Sequence, residues 1–182
     1  MDGIKILIPT DFSQQADFAW LLARRFGERA SMEVHFLHVL QLPATVSFDG
    51  VGNMISDGEM DLQMYNQLRT LAQEKLNHIS QLHHQVVTHL QIGPLTDTIV
   101  DFAEKNKFDL VLMGTKGAKG FKEKIAGSET QQVVRYSEVP VLSVTCDRSE
   151  LAMKNILFIH DFEEKVTHDV KLLLFFSATI QR

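Results

Sequence analysis

One cysteine, Cys146, in 182 residues leaves no partner for an intrachain disulfide, so a reducing compartment, the cytoplasm, is expected. Long apolar runs are missing as well. Nothing approaches the roughly 18 residues that suggest a membrane span. The opening MDGIKILIPTDFS has an acidic residue at position 2 and no basic region ahead of a long apolar run, so it does not read as a signal peptide. Positive charge is in deficit, with 18 Lys and Arg against 23 Asp and Glu for a net charge of -5, which argues against a dedicated nucleic-acid binder. Metal-ligand spacing is also absent. His35 and His38 share a predicted strand but alternate to opposite faces, His83 and His84 lie at a predicted helix end, and no His/Cys/Asp cluster has ligand spacing. Cys146 has no paired histidine motif and is expected to be inert.

What the chain does have is enough apolar sequence, 45%, for one domain with a full core and a little more. IKILIP (4–9) is a short run rich in β-branched residues and reads as a buried strand. Ser13 can cap a following helix that sets Ala16, Ala19, Trp20, Ala23 and Phe26 on one face, with Trp20 read as packing. MEVHFLHVL (32–40) is a second strand. The segment 41–58, with Pro43, Gly50, Gly52 and Gly58 and no period, reads as a long mobile loop. A helix is expected over about 60–82 with Leu68, Ala72, Leu76, Ile79 and Leu82 on its core side.

QVVTHLQI (85–92) is a third strand, and Gly93-Pro94 opens a helix with Pro94 in its first turn and Leu95, Ile99, Phe102 and Ala103 as its stripe. FDLVLM (108–113) is a fourth strand, a short helix runs from about 128 to 136, and VPVLSVT (139–145) is a fifth strand. This alternation predicts an α/β fold with a doubly wound, mostly parallel five-stranded sheet and helices on both faces. In such sheets ligands bind outside the carboxyl ends of the strands, where strand order reverses. If the first and fourth strands are neighbours, PTDFS (9–13) and GTKG (114–117) face each other across one crevice.

The segment MGTKGAKGFKEKIAGSETQQVV (113–134) supplies a reason to expect a guest there. Gly114, Gly117 and Gly120 recur every three residues, and Gly127 stands before Ser128 at a helix start. Glycine permits close approach to the backbone, and amides at a helix N-terminus favour anions. Lys116, Lys119, Lys122 and Lys124 make this loop basic within an acidic chain. The same features suit a tight strand-to-helix turn and a solvated charged loop, and Asp11 suits a helix cap alone or a cap plus a ligand. The P-loop pattern is absent, because no Gly-Lys-Ser or Gly-Lys-Thr occurs. The pattern present is G-x2-G-x9-G-[ST].

Together, PTDFS after the first strand, MGTKG after the fourth, and GS before a helix leading into VPVLSV resemble the universal stress protein family, specifically its ATP-binding branch, over about 1–146. The resemblance implies a Rossmann-like domain over 1–147 that binds ATP or another adenine nucleotide with Mg2+. The implied binding set is Pro9, Thr10, Asp11, Val39, Met113, Gly114, Lys116, Gly117, Gly127, Ser128, Glu129 and Thr130. Adenine would lie by Val39, Asp11 by the ribose or the nucleotide-bound Mg2+, and Gly114 to Ser128 around ribose and phosphates. Glu129 departs from the apolar or amide residue many relatives carry there, since a carboxylate beside a triphosphate repels it. No arginine finger is evident, so the expected role is a stress-response regulatory module rather than an enzyme, with at most slow hydrolysis and no catalytic residue. The alternative is a nucleotide-free dimeric interaction scaffold. Relatives pair the last strand across a two-fold axis, so a homodimer through 139–145 is expected.

The tail repeats the start. KNILFIHDFEE (154–164) aligns without a gap onto IKILIPTDFSQ (4–14) at an offset of 150, pairing Ile156 with Ile6, Leu157 with Leu7, Asp161 with Asp11 and Phe162 with Phe12. Residues 148–182 therefore read as an incomplete second repeat, one strand and one helix of a tandem protein cut short or naturally truncated. Such a piece cannot bury its own apolar face, including LLLFF (172–176), and has to pack elsewhere.

Overall fold

Alternating β-branched runs and amphipathic stretches become alternating strands and helices in the computed structural model. It describes residues 3–28, 30–42, 46–48, 54–56, 59–115 and 129–147, with positions 155, 157, 172, 175 and 176 beyond them. In chain order the elements are β1 (Ile4–Pro9), α1 (Gln14–Gly27), β2 (Met32–Leu40), β3 (Val46–Phe48), β4 (Met54–Ser56), α2 (Glu59–Leu82), β5 (Val86–Ile92), α3 (Leu95–Lys105), β6 (Leu110–Gly114), α4 (Glu129–Tyr136) and β7 (Val141–Val144). Five strands form a parallel sheet in the order β5-β2-β1-β6-β7. β1 is central, and its pairing with β6 joins Ile6 to Leu110 and Leu7 to Val111. The strand order reverses at this pair, because the chain leaves β1 toward β2 and later returns on the opposite side.

Period-two alternation sorts the core into two layers. Ile4, Ile6, Ile8, Val34, Phe36, Leu110, Leu112 and Val144 join Ala19, Leu22, Ala23 and Phe26 of α1. Leu7, Leu37, Val39, Val111 and Met113 join Ile99, Val100 and Ala103 of α3 and Val133 of α4. Both faces of β1 are thus covered, as a parallel sheet requires. Each buried Ile or Leu contributes on the order of 1.5–3 kcal/mol of transfer free energy. The alanines of α1 let its axis approach the sheet closely.

Four details differ from the sequence reading. The stretch 41–58 is not wholly irregular, because β3 and β4 pair antiparallel as a small separate hairpin, Val46 opposite Ser56. Strands of three residues are too short to show a period, although Asp49-Gly50 and Gly52-Asn53 between them are hairpin signals. On α2, Ala72 and Leu76 are buried with Tyr65, whereas Leu68 and Leu82 are 40% and 60% exposed. This helix lies chiefly against β2 and the edge strand β5, with β4 touching it as well, and residues flanking its narrow inward stripe stay exposed. Pro94 is the N-cap of α3, one place ahead of the first turn. Ser13 does occupy the N-cap of α1, yet its hydroxyl makes no capping hydrogen bond.

The strand expected near 154–159 falls largely outside the described residues. Of the expected helix, Leu172, Phe175 and Phe176 are helical. Leu172 is buried in the α1-side core, and Phe175 and Phe176 meet the Phe26 ring edge-on at 5.9 and 5.4 Å. Leu172, Phe175 and Phe176 thus pack on the α1 side of the sheet, whereas Leu157 is exposed.

Candidate functional site

The carboxyl ends of β1, β2 and β6 open into a crevice of about 410 Å3, closed on one side by α3 and the start of α4. Pro9 ends β1. The Thr10 amide donates to the Leu37 carbonyl at 2.8 Å, which ties the strand exit to β2. The Phe12 amide donates to Thr10 Oγ1 and the Ser13 amide to Asp11 Oδ1, both at 3.0 Å. The Asp11 carboxylate therefore orders the turn that precedes α1. These bonds hold Phe12 at φ 62°, a left-handed backbone that non-glycine residues seldom adopt.

His38, near the end of β2, braces the same turn. Its Nδ1 lies 2.7 Å from the Thr10 carbonyl, so Nδ1 carries the donated proton, and its ring lies 4.5 Å from that of Phe12. The buried Val39 and Leu40 continue the wall, and Leu95 and Ile99 of α3 form an apolar floor. Across the opening, Met113 and Gly114 end β6, with the Thr115 amide bonded to the Val144 carbonyl at 2.8 Å. Glu129 and the buried Thr130 open α4. A larger cavity, about 870 Å3, lies near the far end of α1 and the start of β2, away from the carboxyl ends of the strands where parallel sheets hold ligands.

Pro9, Thr10, Asp11, Val39, Met113, Gly114, Glu129 and Thr130 thus share one cavity. Lys116, Gly117, Gly127 and Ser128 lie outside the described residues. Gly114 has a structural reason of its own. A Cβ there would collide with the Gln15 carbonyl and with the Ala16 amide, so glycine at this position lets the first turn of α1 rest on β6. His38, Leu95 and Ile99 were not picked out as site residues from sequence. Leu95 and Ile99 carry the same signal as any core stripe, and only the gap between α3 and the strand ends turns them toward a cavity.

The described lining includes the carboxyl groups of Asp11 and Glu129 and no Lys or Arg. Glu129 stands in the first turn of α4, where the helix dipole favours negative charge. Among the described residues no group of three or more His, Cys, Asp or Glu could hold a metal ion, and no helix is long and apolar enough to cross a membrane.

A polar string lies on the same face of the sheet, away from the crevice. His35 of β2 and His89 of β5 stack at 5.0 Å with an interplanar angle of 6°, and His35 Nδ1 lies 2.7 Å from His89 Nε2. His35 Nε2 contacts the Glu33 carboxylate. With Glu33 ionised, that Nε2 bears a proton, and Nδ1 of a neutral His35 accepts from the His89 Nε2–H. Burial, then the neighbouring His35 and Lys5, hold the His89 imidazole below its usual range. The hydrogen bond from His35 holds the Glu33 carboxyl below its own.

Residues 4–145 match the universal stress protein family. The chain is 29% identical to the universal stress protein MJ0577 of Methanocaldococcus jannaschii over 77% of its own length and 93% of that protein's. The solved structure of MJ0577 superposes with a TM-score of 0.60 at 30% identity, covering 77% of this chain and 94% of the other. UspA of Lactobacillus plantarum gives 0.62 at 20% identity over 78% and 97%. A universal stress protein family protein of Arabidopsis thaliana, solved with AMP bound, gives 0.51 at 16% identity over 78% and 90%, a likeness of fold.

Proposed function

This chain belongs to the universal stress protein family, and from that premise we propose that it is an adenine-nucleotide-binding regulatory module of the stress response, taking ATP with Mg2+ in the crevice between β1 and β6. The observation that carries the reading is the crevice itself. It sits where the strand order reverses, has an apolar floor of Leu95 and Ile99 beside Val39, and counts the buried Thr10 and Thr130 in its lining. The apolar side suits a base, and the threonine hydroxyls suit ribose and phosphate. Asp11 and Glu129 add negative charge that a triphosphate would meet. Mg2+ on the phosphates, with the lysines of 116–124, offsets that repulsion. Mg2+ would reach Asp11 through the nucleotide. Turnover is at most slow, because no arginine lines the described part of the crevice to stabilise phosphoryl transfer.

The rival reading, a nucleotide-free dimeric scaffold, draws on two observations. Packing against α1 already accounts for Gly114, and β7 is an edge strand of the sheet among the described residues, where a second copy could pair. Calorimetry with ATP and Mg2+ decides between them. Saturable binding that is lost in a Gly117→Val, Gly127→Val double variant of unchanged circular dichroism supports the nucleotide site. Absence of heat with ATP, ADP and AMP, together with no nucleotide in the mass spectrum of the denatured purified protein, supports the scaffold. A dimer that a charged substitution at Leu142 dissociates would assign the interface to β7. Deleting 150–182 is expected to leave nucleotide binding intact and to change self-association or solubility, as an incomplete second repeat would.

A further inference from the structure

A second cavity, about 430 Å3, opens on the other side of the turn that carries Asp11, between α1 and α2. Phe36 floors it, and Trp20 and Ile79 stand half-buried in its walls. Its lining is rich in rings. Trp20 lies 5.5 Å from Phe36 and 4.7 Å from His83, and Phe12 completes the group. Leu71 and Leu82, 49% and 60% exposed, form an apolar lip. The charges around the mouth offer no net attraction to an anion. Asp17 and Glu74 oppose Lys75, and the Lys75 ammonium already rests 4.9 Å over the Phe12 ring. His78 lies on the exposed side, and burial followed by the nearby Arg24 holds His83 below the ordinary imidazole range, hence neutral near pH 7.

We propose that this cavity is a second ligand site, for a small uncharged aromatic molecule, and that its occupancy is felt in the crevice through the Thr10–Phe12 turn. Flat uncharged rings match a lining of Trp, Phe and neutral imidazole, because offset and edge contacts between rings add to the burial of apolar area. The ionic balance at the mouth is then left undisturbed. The coupling follows from shared parts. Thr10 borders both cavities, Asp11 lines the crevice and Phe12 lines the second cavity. A ligand against Phe12 displaces a ring in contact with His38, and His38 holds the Thr10 carbonyl and itself lines the crevice. The coupling rests on the nucleotide reading of the crevice, whereas the second site does not.

Trp20, the chain's sole tryptophan, borders both this cavity and the one of about 870 Å3, so energy transfer places the dye near Trp20. Substitutions at Leu71 and Leu82, which line this cavity alone of the two, assign it here. The test titrates the full chain with N-phenyl-1-naphthylamine, an uncharged aromatic dye, exciting Trp20 and reading energy transfer to the dye. Its anionic relative 8-anilino-1-naphthalenesulfonate serves as the charge control. The expected result is one dye per chain with strong transfer, at least tenfold weaker binding of the sulfonate, and at least fivefold weaker dye binding in Leu71→Glu and Leu82→Glu. Both substitutions sit at exposed positions, so circular dichroism unchanged from the parent is expected. Dye binding without transfer from Trp20, equal affinity for the sulfonate, or unchanged affinity in both variants overturns the site. A second arm measures ATP-Mg2+ affinity with saturating dye, and a shift of threefold or more is expected. Unchanged affinity overturns the coupling and leaves the site standing. Failure of ATP to bind at all overturns the coupling together with the crevice reading, and the dye titration still decides the second cavity.

Discussion

Toward α1 and α2, the central strands send in Ile4, Ile6, Ile8, Val34 and Phe36, an all-apolar layer closed by Phe26. Toward α3 and α4, the same two strands send in Leu7, Leu37 and Val39 but also His35, whose ring pairs with His89 and stands edge-on to Phe108 at 5.0 Å. Lys5 is on this side too, its ammonium 4.6 Å over the Phe108 ring and bonded to the Asn106 carbonyl. The first layer is apolar at its centre, with His38 and His83 only at its border. The other holds a chain of proton-sharing groups whose geometry depends on charge. Damage to the first should be large and indifferent to pH, and damage to the second should be modest and pH-dependent.

The largest effect is expected where α1 seats on the sheet. Gly114→Ala drives a methyl into the Gln15 carbonyl, and backbone cannot step aside as a flexible side chain can. A loss above about 4 kcal/mol in urea unfolding is expected. A loss under about 1 kcal/mol would mean that α1 is not held against β6 as described. Next comes Ile6→Ala, at a residue with no exposed surface in the apolar layer. The expected cost is about 2–5 kcal/mol, equal at pH 6 and pH 8. A cost that changes across that range would break the contrast between the two layers.

The histidine pair comes third. Replacing both partners, His35→Phe with His89→Leu, removes a buried hydrogen bond without orphaning either group, so stability at pH 7.5 should move by about 1 kcal/mol or less. The change should appear on acidification. The folded-state value of His89 lies below the ordinary 6.5, so the unfolded chain takes up a proton more readily than the native one. Stability is therefore full above 6.5 and falls as the pH drops below it. Thermal melts of the double variant from pH 7.5 to 5 should show a shallower decline than the parent. A residual slope is expected from His83, whose value is also lowered, mainly by burial. A parallel decline would exclude the pair as a titrating element.

Smallest is Glu33→Gln. The carboxylate is 59% exposed in its contact with His35, and exposed pairs contribute only about 0–1 kcal/mol. Its lowered carboxyl value makes its contribution present above 4.5 and lost as the pH falls below that. Melts of this variant and the parent should converge toward pH 3.

Much of this architecture is local and was legible in the chain. IKILIP and MEVHFLHVL coincide with β1 and β2 because an apolar run of that length between turn residues has few other ways to bury itself. The loops after β1 and β6 could be named as one site because parallel connectivity puts all carboxyl ends on one side, and the observed β1–β6 pairing met the condition. Asp11 came with the PTDFS loop, whereas Thr130 came only with what the family resemblance implies, and both line the crevice. Other features needed neighbours. Leu68 and Tyr65 sit three apart on α2, and only the position of the helix over an edge strand decides that Tyr65 is buried and Leu68 is not. The histidine pair depends on the register of β2 with β5, which sets His35 against Val87 and brings His89 within reach from the next inward position.

Gly114 marks the boundary between the two kinds of knowledge. The sequence by itself determined that a glycine follows the fourth strand, and with it the succession of strands and helices along the chain and a mostly parallel sheet, because periodicity and backbone preference act between near neighbours. Only the tertiary structure decided that this glycine accommodates α1, that Phe12 turns away from the crevice to line a second cavity, and that two histidines far apart in the chain share a proton. Those outcomes rest on contacts whose distances no local pattern encodes, since they depend on where separate elements come to rest against one another.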